Sequence, residues 1–193
     1  MIARLLLLFL CLPSAGCKPS LPADGIARFS LPDPRPEAVG PRPHSGRSSV
    51  LLQFDYAGRK KALEWEPQVW KKGTPLPTAP ASRKMLFGPR QTLGFAIWDQ
   101  TSNGLPFCMV STEVRLDKGL HSGTRSVEMP SRPSGWSVAI LPAASIEVGD
   151  GHRASIFGLI FHSEKIDLPP DSPLEAWAAK ADAALLIRVR MTD

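Results

Sequence analysis

Alternation of apolar and other residues is the dominant pattern of the chain from Ser48 onward. In the first such stretch, Val50, Leu52 and Phe54 recur at every second position, which is typical of a strand with one buried face. Similar stretches follow at about 93–97, 107–116, 120–129, 135–141, 144–148, 153–161 and 185–192. About eight short strands separated by turns predict a mainly β domain over residues 48–193, an antiparallel β-sandwich or a barrel.

Turn residues indicate how these strands connect. The Ala-Gly pair at 57–58 predicts a tight turn, after which a return strand runs over 59–65 and ends at Pro67. The Ser-Asn-Gly sequence at 102–104 predicts a hairpin, because Asn and Gly tolerate the positive φ angles of a type I′ turn. The partner strand of that hairpin is predicted over 107–116.

One short helix is predicted near the C-terminal end. Ser172, Pro173 and Glu175 provide a capping residue, a proline at the first helical position and a glutamate three residues after the cap. We therefore expect a helix over 173–181 that crosses over between two strands. The preceding stretch, 153–161, is apolar at nearly every position, which predicts a central strand covered on both faces.

Residues 1–16 have a different pattern. Arg4 precedes a short apolar run that ends at Leu12, and small residues follow it. This is the layout of a secretory signal peptide. The run is too short to span a bilayer, which requires about 20 apolar residues. We therefore expect residues 1–16 to direct export and to be removed.

Ser14, Ala15 and Gly16 stand immediately before Cys17. This arrangement resembles the lipobox of bacterial lipoproteins, although that class prefers leucine where Ser14 stands. The resemblance implies cleavage before Cys17 and acyl chains, such as palmitate, that are carried by Cys17 and hold the protein to the membrane. Lys18 implies, by the same resemblance, delivery to the outer membrane. The alternative is ordinary secretion with Cys17 left unmodified.

Residues 17–47 are rich in proline, which removes backbone donors and favours extended chain. We therefore expect them to form a lipid-anchored, semi-rigid tether. Ile26, Phe29 and Leu31 are apolar enough to dock part of this tether on the domain. The prolines are Pro19, Pro22, Pro32, Pro34, Pro36, Pro41 and Pro43.

The charge balance is moderately basic. Loss of Arg4 with the signal peptide lowers the formal net charge from +5 to +4. The sequence pI of 9.4 would suit an anionic partner such as a phosphorylated glycolipid or cell-wall polymer. The simpler interpretation is a solvated basic surface. We expect no nucleic-acid partner.

Few residues are candidates for catalysis or metal binding. The histidines form no HxH or HxxxH pair, so we expect no metal site and no cofactor. Cys108 lies in a predicted strand, where a buried and inert thiol is expected. Glu64 and Glu66 share a strand face but cannot be assigned to glycoside hydrolysis. No catalytic residue is predicted. The histidines are His44, His121, His152 and His162.

The tryptophans offer a different possibility, a platform for sugar binding. Core packing accounts for most of them more simply. Trp70 is different because it lies beside Lys71 and Lys72, outside any clear strand, in a basic and Pro-rich stretch over 67–90. Trp70, Lys71 and Lys72 are therefore the predicted binding residues.

These features favour a membrane-anchored envelope lipoprotein whose domain is a non-enzymatic binding module for an envelope protein or an anionic glycan. The alternatives are an envelope enzyme, possibly glycan-directed, and a structural envelope component. A cleft with converging carboxylates or histidines would favour the enzyme. A surface formed by Trp70 and the stretch 67–90 would favour binding.

Overall fold

The computed structural model describes residues 22–30, 48–77, 83–86, 90–102, 105–116, 119–130, 136–140, 145–169 and 171–193. Within these residues the chain forms two antiparallel sheets and one short helix. The elements are β1 (Ile26–Ser30), β2 (Ser48–Tyr56), β3 (Ala62–Lys71), β4 (Thr74–Pro75), β5 (Arg83–Leu86), β6 (Arg90–Ser102), β7 (Leu105–Leu116), β8 (Gly119–Glu128), β9 (Trp136–Ile140), β10 (Ser145–Gly149), β11 (Arg153–His162), α1 (Leu174–Ala179) and β12 (Ala183–Thr192).

The strand order of the first sheet is β10-β1-β2-β6-β7-β8. The order of the second is β4-β3-β12-β11-β9, and β5 also pairs with β3. The predicted mainly β, antiparallel architecture is confirmed, and the two separate sheets of the described residues favour the sandwich over the barrel. The sequence pattern predicted fewer strands, because it assigned no strand to the segments that form β1, β4 and β5.

The main core lies between the two sheets. Trp65 of β3 and Phe95 of β6 pack edge to face, with ring centroids 6.3 Å apart and an interplanar angle of 78°. Both side chains are almost completely buried, and burial of a large apolar side chain contributes about 1.5–3 kcal/mol. Val50, Leu52 and Phe54 of β2 are buried in the same core, whereas Leu51, which lies between Val50 and Leu52, is exposed. The period of two therefore separates the two faces of β2, as predicted.

A second, smaller apolar cluster lies on the outer face of the second sheet, beneath α1. Leu174 and Ala178 of the helix pack there with Ile160 of β11 and Leu186 of β12. Strand β11 is thus covered on both faces, as its apolar run predicted. The helix is shorter than predicted and has Pro173 as its N-cap, with no side-chain capping bond.

Two short connections at one end of the sandwich carry the chain from the first sheet to the second. Residues 57–61 join β2 to β3, and residues 150–152 join β10 to β11. The strand expected after the turn at 57–58 forms as β3, but it does not return beside β2, because it pairs with β12, β4 and β5 in the other sheet. We call this end, formed by residues 22–25, 57–61 and 150–152, the crossover end.

Tyr56 holds the connections of the crossover end together. Its hydroxyl donates to Oδ1 of Asp150 at 2.8 Å and accepts from the backbone nitrogen of Lys60 at 3.0 Å. Gly25, which has a φ of 75°, donates from its nitrogen to the carbonyl of Ala57 at 2.9 Å. The Gly25 carbonyl accepts from the nitrogen of Asp150 at 2.9 Å. Three segments distant in sequence are thus joined at one place.

Pro67 lies inside β3 rather than at its end, which corrects the expectation that it stops the strand. The carbonyl of Val69 accepts from the nitrogen of Leu76 at 2.8 Å, so Val69 directs its backbone away from β12. Alternate residues of a strand direct their backbone to the same side, and Pro67 therefore does so too. On that side β5 pairs only with 62–65 and β4 only with 70–71. The missing N–H of Pro67 thus breaks no bond of either ladder.

The β6–β7 hairpin and strand β1 differ in how well the sequence predicted them. Strands β6 and β7 pair from Ser102 with Leu105 onward, which confirms the predicted hairpin around 103–104. Strand β1 lies within the predicted tether, yet it pairs with both β10 and β2. Ala27 and Phe29 of β1 are fully buried, in line with the expected docking of Phe29, so the folded body includes residues before Ser48.

Candidate binding surface

The end of the sandwich opposite the crossover end carries a tight hairpin between β3 and β4. Lys71 pairs with Thr74, and the two-residue loop is formed by Lys72 and Gly73, whose φ angles are 46° and 74°. Positive φ at both central positions is typical of a type I′ turn, which matches the twist of the flanking strands. Lys71 and Lys72, two of the predicted binding residues, are exposed.

This hairpin packs against the C-terminal end of α1. A Cβ atom at Gly73 would lie 2.4 Å from the carbonyl oxygen of Ala179, so only glycine permits this approach. The nitrogen of Lys72 donates to the carbonyl of Asp182 at 2.8 Å. Lys180 lies between these two contact residues in sequence and is exposed. The fold thus adds Lys180 to Lys71 and Lys72, and we call these three residues the basic tip.

Trp70 does not form the exposed platform that the sequence suggested. It lies in β3, half-buried, and packs against the apolar cluster beneath α1, as Trp177 does. The reason is its position in the strand: Leu63 and Trp65 face the main core, so even-numbered residues of β3 face the outer side that α1 covers. Buried Nε1 atoms of Trp70 and Trp177 have no hydrogen-bond partner. Trp70 therefore supports the helix beneath the basic tip.

The outer face of the second sheet also carries opposite charges in cross-strand register. Glu64 and Glu66 of β3 lie opposite Arg190 and Arg188 of β12. Arg190 donates from Nε to Glu64 at 3.0 Å, and Nη1 of Arg153 lies 3.0 Å from Oε1 of Glu66. The two glutamates, which the sequence could not assign, are thus paired with arginines. Cross-strand pairs of this kind stabilise a sheet by roughly 0.2–1 kcal/mol each.

A cleft of about 360 Å³ lies between β10, β11 and the start of α1. Its lining includes Arg153, Asp171, Ser155 and Glu175. The hydroxyl of the buried Ser155 donates to Oε1 of Glu175 at 2.5 Å. This hydrogen bond links β11 to α1, and Asp171 and Glu175 line one concave surface.

The remaining candidates for chemistry lie apart from one another. Cys108 is fully buried. His152 is exposed at the crossover end, and His162 lies near the opposite end of β11 with Nδ1 2.7 Å from the Glu164 carbonyl. Within the described residues, no group of three or more His, Cys, Asp or Glu side chains is arranged to hold a metal ion. His44, Cys17 and the predicted signal peptide, residues 1–16, lie outside the described residues.

Comparisons with protein families, with curated proteins and with solved structures find no match. In the part of the chain that the structure describes, no helix has the length and apolar character needed to cross a bilayer.

Proposed function

We propose that this protein is an outer-membrane lipoprotein of the cell envelope, anchored through Cys17, whose sandwich is a non-enzymatic domain that binds an anionic glycan through the basic tip. Export and anchoring are supported by residues 1–17 and their resemblance to a signal peptide with a lipobox. Binding is supported by one observation: three exposed lysines, Lys71 and Lys72 of the β3–β4 hairpin and Lys180 after α1, lie at one end of the sandwich.

The composition of the basic tip favours a glycan over a protein partner. Centres of protein–protein interfaces are rich in aromatic residues and poor in lysine, and Trp70 lies beneath the tip rather than on it. Lysine is a compact point charge on a flexible stem, which suits phosphate or carboxylate groups at irregular spacing. The nearby carboxylate of Asp182 already accepts a hydrogen bond from the nitrogen of Ser163 at 2.6 Å. A polymer with several anionic groups can engage the three lysines together.

The anchor is tested by replacing its cysteine. We expect Cys17→Ser to shift the protein from the membrane fraction to the soluble envelope fraction and to abolish incorporation of labelled palmitate. Each buried methylene of an acyl chain contributes about 0.8 kcal/mol, so the loss of two or three chains leaves no stable attachment. A Cys17→Ser protein that stays entirely in the membrane fraction would disprove lipid anchoring.

The binding proposal is tested by a matched pair of charge reversals. Lys71→Glu/Lys72→Glu changes the basic tip, and Arg59→Glu/Lys61→Glu makes the same change in net charge at exposed residues of the crossover end. The probe is the lipid-free phosphorylated oligosaccharide of lipopolysaccharide. We expect the tip variant to lose about tenfold in affinity and the control to lose little. Equal losses of affinity in the two variants would mean that the net charge of the protein, and not the basic tip, determines binding.

An envelope enzyme is the second candidate, and the cleft beside α1 is the observation that favours it. Asp171 and Glu175 both line this cleft, and paired carboxylates can serve as acid and base in glycan hydrolysis. The test is release of reducing sugars from purified envelope glycans by the wild-type protein, Asp171→Asn and Glu175→Gln. Activity that both variants lose while remaining folded would favour the enzyme over the binding module.

A further inference from the structure

The chain between the anchor and the folded body is short. Pro22 is buried in the folded domain, and five residue steps separate it from Cys17. Extended chain spans at most about 3.6 Å per residue, so these steps cover no more than about 18 Å. The proline-rich residues 31–47 add nothing to this reach, because they connect β1 to β2.

The point where the chain enters the fold lies at the crossover end. Gly25 is hydrogen-bonded to Ala57 and to Asp150, one residue from each of the two crossover connections. Strand β1 then runs from Ile26 away from this end, antiparallel to β2 and β10. A lipid on Cys17 would therefore hold the crossover end within about 18 Å of the membrane surface.

Exposed cations lie on this same end. Arg59 and Lys61 are exposed, and neither forms an ion pair with a described residue. Asp193 forms an ion pair with Lys60 at 2.7 Å, whereas Asp150 accepts a hydrogen bond only from the neutral hydroxyl of Tyr56, which cancels no charge. Asp24 is also exposed at this end and opposes the cations. Each cation near the surface of an anionic bilayer raises the partitioning of a protein onto that surface about fivefold.

We propose that the crossover end faces the bilayer and that Arg59 and Lys61 contact anionic lipid head groups, an inference that rests on the proposed lipidation of Cys17. Strand β3 runs from Ala62 at this end to Lys71 at the other. At about 3.3 Å per residue its ten residues span about 33 Å. The basic tip is therefore directed away from the membrane, where it can reach a glycan beyond the lipid surface.

Energy transfer to the bilayer tests this orientation in the full-length, lipid-modified protein. Single fluorescent labels are placed with His152→Cys at the crossover end or Ala179→Cys beside the basic tip; both sites are exposed. Cys108 is fully buried and Cys17 is blocked by lipid, so background labelling is low. Vesicles of phosphatidylcholine and phosphatidylglycerol carry acceptor-labelled lipid. We expect much stronger transfer from residue 152 than from residue 179.

Two outcomes would overturn the orientation. Equal transfer from both labels would indicate a body lying on its side, and stronger transfer from residue 179 would indicate the reverse orientation. Flotation of the same samples separates this failure from failure of the anchor: a protein that does not float with vesicles lacks the anchor itself. A protein that floats but gives either of these transfer patterns contradicts only the orientation.

Charge reversal tests the head-group contact. Arg59→Glu/Lys61→Glu is expected to lower transfer from residue 152 on vesicles with phosphatidylglycerol and to leave it unchanged on phosphatidylcholine alone. Lys71→Glu/Lys72→Glu is the matched control and should leave transfer unchanged on both. If the Arg59/Lys61 variant behaves like the control, the two cations make no contact with the head groups.

Discussion

Tyr56 is the residue whose replacement tests the crossover end most sharply. Tyr56→Phe keeps the buried ring but removes the hydroxyl that donates to Asp150 at 2.8 Å and accepts from the Lys60 nitrogen at 3.0 Å. Each hydrogen bond contributes a net of about 0.5–1.5 kcal/mol. We therefore expect the free energy of unfolding to fall by about 1–3 kcal/mol, which corresponds to a fall in Tm of roughly 3–10 °C.

The same hydroxyl gives this prediction a pH dependence. Burial raises the pKa of Tyr56 above its usual value of 10.0; the Lys60 N–H opposes this shift, and the Asp150 carboxylate adds to it. The folded protein therefore holds the phenolic proton more tightly than the unfolded chain. This stabilisation is complete below about pH 10 and is lost as the pH rises through the higher pKa of the folded state. Phe cannot titrate, so the stability difference between wild type and Tyr56→Phe should shrink above about pH 10.

Two measurements check this reasoning. Chemical denaturation of both proteins at a series of pH values gives the stability difference directly. Tyr56 is the only tyrosine of the chain, so the ultraviolet absorbance of phenolate reports its titration without interference from another tyrosine. A folded-state midpoint at or below that of the denatured protein would refute the burial argument. A Tyr56→Phe variant as stable as wild type would refute the role of the hydroxyl.

Three glycines provide a graded series for thermal denaturation. Gly58→Ala is expected to lower the free energy of unfolding by about 1–3 kcal/mol. The added Cβ would lie 2.2 Å from the hydroxyl of Tyr56, which its hydrogen bonds hold in place. A Gly58→Ala protein as stable as wild type would contradict this. Gly73→Ala should cost more than about 2 kcal/mol, since it combines a left-handed φ with a 2.4 Å approach to the Ala179 carbonyl. Gly151→Ala has a φ of 76° but open space around it, so only backbone strain of about 1 kcal/mol is expected. A Gly151 variant as unstable as the Gly73 variant would show that contact geometry does not decide the cost.

The sequence predicted local structure well where alternation and turn chemistry agree. The alternation around Leu52 and Phe54 identified the buried face of β2, and the Asn-Gly pair at 103–104 located the hairpin between β6 and β7. Both signals act over a few residues, because the period of a strand and the φ angles of a turn are local properties. The choice of partner strand for β3 is not local, and for that reason the expectation that β3 returns beside β2 was wrong.

The candidate surface was predicted only in part, because it depends on how separate elements pack. Lys71 and Lys72 are exposed, but Trp70 is half-buried since α1 covers its face of the sheet. Lys180 joins them through the contacts of Gly73 and Lys72 with residues on either side of it. The sequence did not indicate the positive φ of Lys72, because lysine is not a typical residue of such turns.

The most direct test of the proposed binding function is the affinity of the soluble Cys17→Ser protein for the phosphorylated oligosaccharide of lipopolysaccharide, measured by titration calorimetry at low and at physiological salt. Exposed charges are screened more strongly as the Debye length falls to about 8 Å. The Cys17→Ser protein should bind more weakly at the higher salt concentration. In that background, Lys71→Glu/Lys72→Glu should remove most of the affinity, while Arg59→Glu/Lys61→Glu retains it. Salt-independent binding, or binding that the tip variant keeps in full, would contradict a glycan-binding basic tip.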